Sequence, residues 1–128
     1  MHLLFILEFK HMKDLRSPSQ TENAILNILA SHEFPGNIEI KNQLNNCKVR
    51  TIDKDGSIEI KINADKKRAN VKERIPVEAK LETDTYPIYF LLHVIDGYAV
   101  ELEVYKADSS GYDHINKIEN LSKLHVFA

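Results

Sequence analysis

Residues 74–106 constrain the fold more than any other part of the chain, because their pattern predicts three consecutive β-strands. The middle strand, residues 88–95, reads IYFLLHVI and is apolar on both faces except at His93. A strand of this kind is normally covered on both sides, so we expect it at the centre of the core. His93 is then the titratable group that we expect the fold to draw into that core.

The Asp-Gly dipeptide at 96–97 predicts a type I′ β-hairpin between this strand and the next. A regular two-residue turn places His93 opposite Val100. On that register His93 lies on one face of the hairpin, while Glu101 and Glu103 lie on the other. These groups then cannot share a site. A one-residue bulge would reverse the assignment.

The N-terminal half predicts helices. Ser19 and Glu22 have the spacing of a capping box, and apolar residues follow at helical spacing through residues 24–29. A second, shorter helix is expected at about residues 37–45, with Ile38, Ile40 or Lys41, and Leu44 pointing inward. From Lys48 onwards the hydrophobic period changes to two, which indicates strands.

The remaining strands are expected at 48–53, 57–62 and 75–82, the first two joined through Gly56. Residues 121–127 form a final strand or pack loosely on the sheet. The predicted fold class is therefore α+β, with one or two N-terminal helices packed on an antiparallel meander sheet of about five strands.

The composition narrows the functions available to the chain. Its 128 residues are 43% hydrophobic and 28% charged, which is typical of one globular domain. A formal net charge of −2 provides no excess of positive charge for binding nucleic acid or an anionic membrane. We therefore expect neither as a partner.

The N-terminus begins with a short apolar run at residues 3–7. This run is too short to span a bilayer and lacks the flanks of a signal peptide. It is either an extra edge strand or part of an upstream extension ahead of a start at Met12, and we favour the second. Residues 1–11 are thus expected to be an N-terminal extension and residues 12–128 a single α+β domain. With no membrane span predicted, the expected location is cytoplasmic.

One histidine and one pair of glutamates could carry chemistry. His93 is either a general base or pH-sensitive contact, or a structural histidine with satisfied nitrogens, and we favour the structural role. Glu101 and Glu103 could act as paired carboxylates, but such a pair more often lines a half-solvated face.

Other chemistry has less support. The six histidines show no metal-ligand spacing, so no metal site and no cofactor are predicted. The single cysteine, Cys47, is expected to be a small buried hydrophobe. A basic cluster between Lys66 and Arg74 is interpreted as a solvated loop.

Five segments together resemble a known family. They are FPG at 34–36, DGS at 55–57, IPVEA at 75–79, LLHVIDG at 91–97 and ELEVY at 101–105. In this order they resemble a family of short bacterial proteins of unknown function, over residues from Met12 to the C-terminus. The resemblance implies a single-domain fold and supplies no catalytic residue.

The leading functional hypothesis is a non-catalytic cytoplasmic protein that binds another protein, for example an immunity protein that neutralises a toxin. Glu78, Glu101 and Glu103 would then belong to an acidic contact surface.

Two alternatives remain. The first is a small-ligand-binding protein or hydrolytic enzyme, with His93 as base in a pocket between sheet and helices and Tyr89 or Tyr98 as pocket walls. The second is a self-associating structural protein or homodimer that pairs through the run at 3–7 or an open sheet edge.

Overall fold

The computed structural model describes residues 14–106 and 121–128. The elements in chain order are α1 (Gln20–Ser31), α2 (Asn37–Leu44), β1 (Lys48–Thr51), β2 (Ile58–Lys61), β3 (Val77–Leu81), β4 (Ile88–Ile95), β5 (Tyr98–Lys106), a 3-10 turn (Leu121–Lys123) and β6 (Leu124–Phe127). The predicted extension at 1–11, including the apolar run at 3–7, lies outside the described residues.

The six strands form one antiparallel sheet in the order β1-β2-β5-β4-β3-β6. This confirms the α+β class with two helices, although the sheet has six strands rather than five. Consecutive strands are neighbours from β3 to β5 and again in the β1–β2 pair, so the sheet is not a simple meander. The β1–β2 hairpin lies beside β5, where the Ser57 hydroxyl accepts a hydrogen bond from the Val104 amide at 2.8 Å. The strand predicted at the C-terminus is β6, which extends the sheet beyond β3.

The N-terminus of α1 confirms the predicted capping box. The Ser19 hydroxyl accepts from the Glu22 amide at 3.1 Å, and the Glu22 carboxylate accepts from the Ser19 amide at 2.8 Å. Arg16 adds two hydrogen bonds to the same carboxylate, at 2.7 and 3.0 Å. Burial alone raises the pKa of Glu22, but the bonds from Arg16 and Ser19 and the charge of Arg16 outweigh it. The pKa of Glu22 therefore lies below its usual value.

The core lies between the two helices and one face of the sheet. Alternate residues of β4 point into it: Ile88, Phe90, Leu92 and Val94 are all buried. Within residues 14–106 and 121–128 no helix packs on the opposite face of β4, so the expected cover on both sides is not found among them. The side chains on that face, from Tyr89 to His93, are only partly buried.

In α2 the pattern of burial also differs from the prediction. The buried residues are Ile40, Gln43 and Leu44, whereas Ile38, expected to point inward, is 74% exposed. Gln43 was not expected in the core. Its amide nitrogen donates to the carbonyls of Lys67 (2.9 Å) and Gly97 (2.8 Å), and its oxygen accepts from the Ala99 amide at 3.0 Å.

The turn between β4 and β5 is the predicted one. Asp96 and Gly97 both have positive φ, at 53° and 82°, as a type I′ turn requires. The Gly97 carbonyl also accepts from the Ala69 amide at 2.9 Å. A Cβ atom at residue 97 would clash with the Ala69 carbonyl oxygen. Gln43 and Ala69 thus fix the hairpin turn against α2 and the β2–β3 connection.

Candidate functional site

The β4–β5 ladder contains a bulge that the sequence did not reveal. Next to the turn, Val94 pairs with Ala99, as a regular hairpin requires, but the register then shifts and His93 pairs with Glu101. Val100 is the extra residue. The prediction that His93 and the two glutamates lie on opposite faces is therefore wrong, because the bulge returns Glu101 to the face that carries His93.

Glu103 and His93 are in direct contact across the strands. Nε2 of His93 lies 2.7 Å from Oε1 of Glu103, and Nε of Arg74 donates to Nδ1 of His93 at 2.9 Å. An arginine can only donate, so Nδ1 is the accepting nitrogen and Nε2 carries the proton that is donated to Glu103. The ring is thereby fixed as one neutral tautomer with both nitrogens satisfied.

The backbone places Arg74 beside this pair. Its carbonyl accepts from the amide of Val94, the residue after His93, at 2.7 Å. Arg74 was interpreted as part of a solvated basic loop, and its side chain is exposed, yet it reaches His93. No local pattern in the sequence indicates this contact, which depends on how the β2–β3 connection returns along β4.

The face of the sheet opposite α1 and α2, here called the helix-free face, also carries an aromatic pair. Tyr89 pairs with Tyr105, and their ring centroids are 6.0 Å apart. Leu91 lies in the next row, between Glu103 on β5 and Glu78 on β3. A shallow depression of about 520 Å³ is lined by these five side chains: Glu78, Tyr89, Leu91, Glu103 and Tyr105.

The structure brings five of the six predicted site residues close together on this face: His93, Glu101, Glu103, Glu78 and Tyr89. Tyr98 lies at the other end of the hairpin, paired with Ile95. Ile95 is six residues along β4 from Tyr89, or about 20 Å, so the two tyrosines do not line one pocket. His93 also lies outside any pocket between sheet and helices, contrary to the enzyme alternative.

Leu91, Tyr105 and Arg74 belong to the same site but were not predicted. Tyr105 could have been found from the correct register, since it is the cross-strand partner of Tyr89.

The three glutamates Glu78, Glu101 and Glu103, here called the acidic patch, are poorly neutralised. Neither Glu78 nor Glu101 forms an ion pair with any residue that the structure describes. The cations that flank the patch, Arg50 and Lys80, form ion pairs with other glutamates. Arg50 lies 3.5 Å from Glu59, and Lys80 lies 3.0 Å from Glu82. Among the described residues, the three carboxylates therefore exceed the positive charge that Arg74 brings to this cluster.

His93, Glu101 and Glu103 also form a group of possible metal ligands. One ligand atom from each residue can be chosen so that all three lie within 4.8 Å of one another. The histidine spacing gave no signal of this cluster, because its members come from two strands and meet only through the bulge.

A comparison with protein families matches residues 15–115 to a model described as a domain of unknown function, DUF6984. The chain belongs to this family. The description assigns no activity to a DUF6984 domain. No curated protein and no solved structure matches the chain. None of the helices described in this DUF6984 domain is long and apolar enough to cross a membrane.

A larger cavity lies elsewhere, between α1 and α2. It measures about 670 Å³, and side-chain amides, apolar groups and Lys41 line it, with no carboxylate or imidazole. Cys47 is 2% exposed, and burial raises the pKa of its thiol. Cys47 is therefore buried as predicted. The titratable cluster of the helix-free face offers more chemistry than either feature.

Proposed function

We propose that the protein is a non-catalytic, cytoplasmic protein-binding module whose helix-free face binds a basic segment of a partner protein. The observation that carries this proposal is the acidic patch, since Glu78 and Glu101 have no ion-pair partner among the described residues and lie beside a depression with aromatic walls. Carboxylates on a sheet face that none of the described helices covers complement lysine or arginine side chains.

The depression suits the chemistry of such a side chain. Leu91 and the rings of Tyr89 and Tyr105 offer apolar contact for its aliphatic stem. The same rings offer cation–π contact, and the carboxylates of Glu78 and Glu103 offer charged acceptors for its head group. Tyrosine and arginine are among the residue types enriched at the positions that dominate the binding energy of protein interfaces.

The acidic patch is partly preorganised. The hydrogen bond from His93 holds the Glu103 carboxylate, and Arg74 holds His93. A carboxylate that is already oriented loses less conformational entropy on binding. The same negative charge disfavours phosphate, which supports a protein partner rather than nucleic acid or an anionic membrane. An immunity protein that neutralises a basic toxin surface is one form that this function would take.

An enzyme with His93 as general base is the second candidate, and the 2.7 Å contact between His93 and Glu103 favours it. A general base needs an available lone pair, however. In the observed arrangement Nδ1 accepts from Arg74 and Nε2 carries a proton. The binding function therefore fits the geometry better.

The test is affinity capture from the native host with the full chain as bait. We compare it with a variant in which the acidic patch is neutralised by Glu78→Gln, Glu101→Gln and Glu103→Gln. The proposal predicts a partner that the wild-type chain retains, that the variant loses, and that elevated salt releases. The solution mass of the bait alone shows whether the captured partner is a second copy of the chain.

The matched control changes the same number of charges away from the helix-free face, by Glu33→Gln, Glu39→Gln and Asp65→Asn. It is expected to retain the partner. If the acidic-patch variant captures the partner as well as the wild-type chain does, the proposed surface is wrong.

A further inference from the structure

We propose that His93, Glu101 and Glu103 bind a divalent transition-metal ion of the Zn²⁺ class. While the metal is absent, Arg74 donates a hydrogen bond to Nδ1 of His93. This inference shares Glu101 and Glu103 with the acidic patch, but it needs no protein partner, so zinc binding and partner binding are measured separately. It rests on a mixed imidazole–carboxylate cluster that the bulge of β5 assembles on the helix-free face.

The distances suit such an ion after a small adjustment. Zn²⁺ bound to nitrogen and oxygen ligands at its usual bond lengths holds them roughly 3.4 Å apart. In the structure His93 and Glu103 are closer than this, at 2.7 Å, and the ligand atoms of the whole cluster lie within 4.8 Å. All three residues are partly exposed, which leaves the two glutamate side chains room to rotate toward a shared ion.

The proton on His93 determines how the ion enters. Nε2 faces the glutamates and carries a proton, so it must lose that proton to become a ligand. The ring stays neutral if it changes tautomer, so that Nε2 gives its proton to water and Nδ1 takes one from water. Arg74 must then withdraw, because two donors would face each other. Its guanidinium is exposed and regains water when it leaves.

The ligand set selects among cations. One imidazole and two carboxylates provide three protein ligands, which leave a fourth position for water, as in open zinc sites. Mg²⁺ and Ca²⁺ prefer oxygen ligands alone, so the imidazole contributes little to binding them. We therefore expect Zn²⁺ to bind more tightly than Mg²⁺.

The test is calorimetric titration of the full chain, freed of metal by chelation, with Zn²⁺. His93→Gln and Glu101→Gln are each expected to weaken binding by about tenfold or more. Glu59→Gln is the matched control, because Glu59 lies directly opposite Glu101 on β2 but outside the cluster. It is expected to leave the affinity unchanged. Arg74→Gln is expected to bind Zn²⁺ at least as tightly as the wild-type chain.

Co²⁺ gives an independent spectroscopic signal, since its visible absorption reports an ordered nitrogen and oxygen coordination. We expect this absorption in the wild-type chain and its loss in His93→Gln, with circular dichroism showing that the variant is folded. Zn²⁺ affinity unchanged in both His93→Gln and Glu101→Gln would place any bound zinc elsewhere and overturn the proposal. Tenfold weaker binding in Arg74→Gln would overturn the role given to Arg74.

Discussion

Glu101 lies directly opposite His93 in the β4–β5 ladder, at the position that Val100 would occupy in a regular hairpin. This displacement of one residue moves two carboxylates to the face that carries the histidine. It also leaves Leu102 and Val104 in the core. The bulge therefore reconciles the apolar pattern of β5 with a charged cluster on the helix-free face.

The hydrogen bond between His93 and Glu103 is expected to contribute measurably to stability. The His93 side chain is only 13% exposed, so a double-mutant cycle with His93→Gln and Glu103→Gln should show a coupling of about 0.5–1 kcal/mol. Lys80 and Glu82 form the control pair, because both are well exposed. Chemical denaturation of the variants should show no resolvable coupling there. Equal coupling in the two pairs would contradict the structural role of His93.

Glu22→Gln is expected to destabilise the chain by about 2–3 kcal/mol at neutral pH, because the buried amide replaces the carboxylate that Arg16 and Ser19 bind. The pKa of Glu22 is lower in the folded chain than in the unfolded chain. Its ionised form therefore stabilises the fold above the unfolded pKa, and this contribution is lost as the pH falls through the folded pKa. Urea denaturation at several pH values should show the difference between wild type and variant shrinking on acidification. A difference independent of pH would exclude this linkage.

Gln43→Ala is expected to lower the free energy of unfolding by about 2–4 kcal/mol. The substitution leaves the Ala99 amide without its buried partner and removes packing beneath the turn. The Gly97 carbonyl loses the bond from Gln43 but keeps the one from the Ala69 amide. Asn42→Ala, one residue earlier on the exposed side of α2, is the control and should be nearly neutral. Thermal or urea unfolding of both variants measures the difference, and equal effects would show that the Gln43 bonds add little.

Cys47 is expected to react slowly with a disulfide reagent in the folded chain. Its side chain is buried, and burial raises the pKa of the thiol, so little thiolate is available. Full reactivity should appear on unfolding, when the absorbance of the released thiol reports the reaction. A fast reaction of the native chain at neutral pH would contradict the burial of Cys47.

Local patterns predicted the elements whose signals are local. The capping box at Ser19 and Glu22 and the turn at Asp96 and Gly97 each depend on residues close in sequence, and both were predicted correctly. The same holds for β4, whose predicted bounds agree with the structure.

Features that depend on distant parts of the chain were not predicted. β4 is apolar at odd and even positions alike, so the sequence does not indicate which side the helices cover. The extra residue in β5 is a valine, not a glycine or another residue typical of a bulge. The sequence therefore predicts that Val100 is an ordinary strand residue. The buried role of Gln43 and the contact from Arg74 to His93 depend on the path of the β2–β3 connection. These misses account for the wrong placement of His93.

Deletion of Val100 tests the bulge most directly. If Val100 is the extra residue, its removal makes the ladder regular, with His93 still opposite Glu101 and Leu102 still in the core. The free energy of unfolding should then fall by no more than about 2 kcal/mol, with a cooperative transition in urea. In a hairpin without a bulge, the same deletion would turn Leu102 and Val104 out of the core. Loss of the cooperative transition would contradict the register on which the site depends.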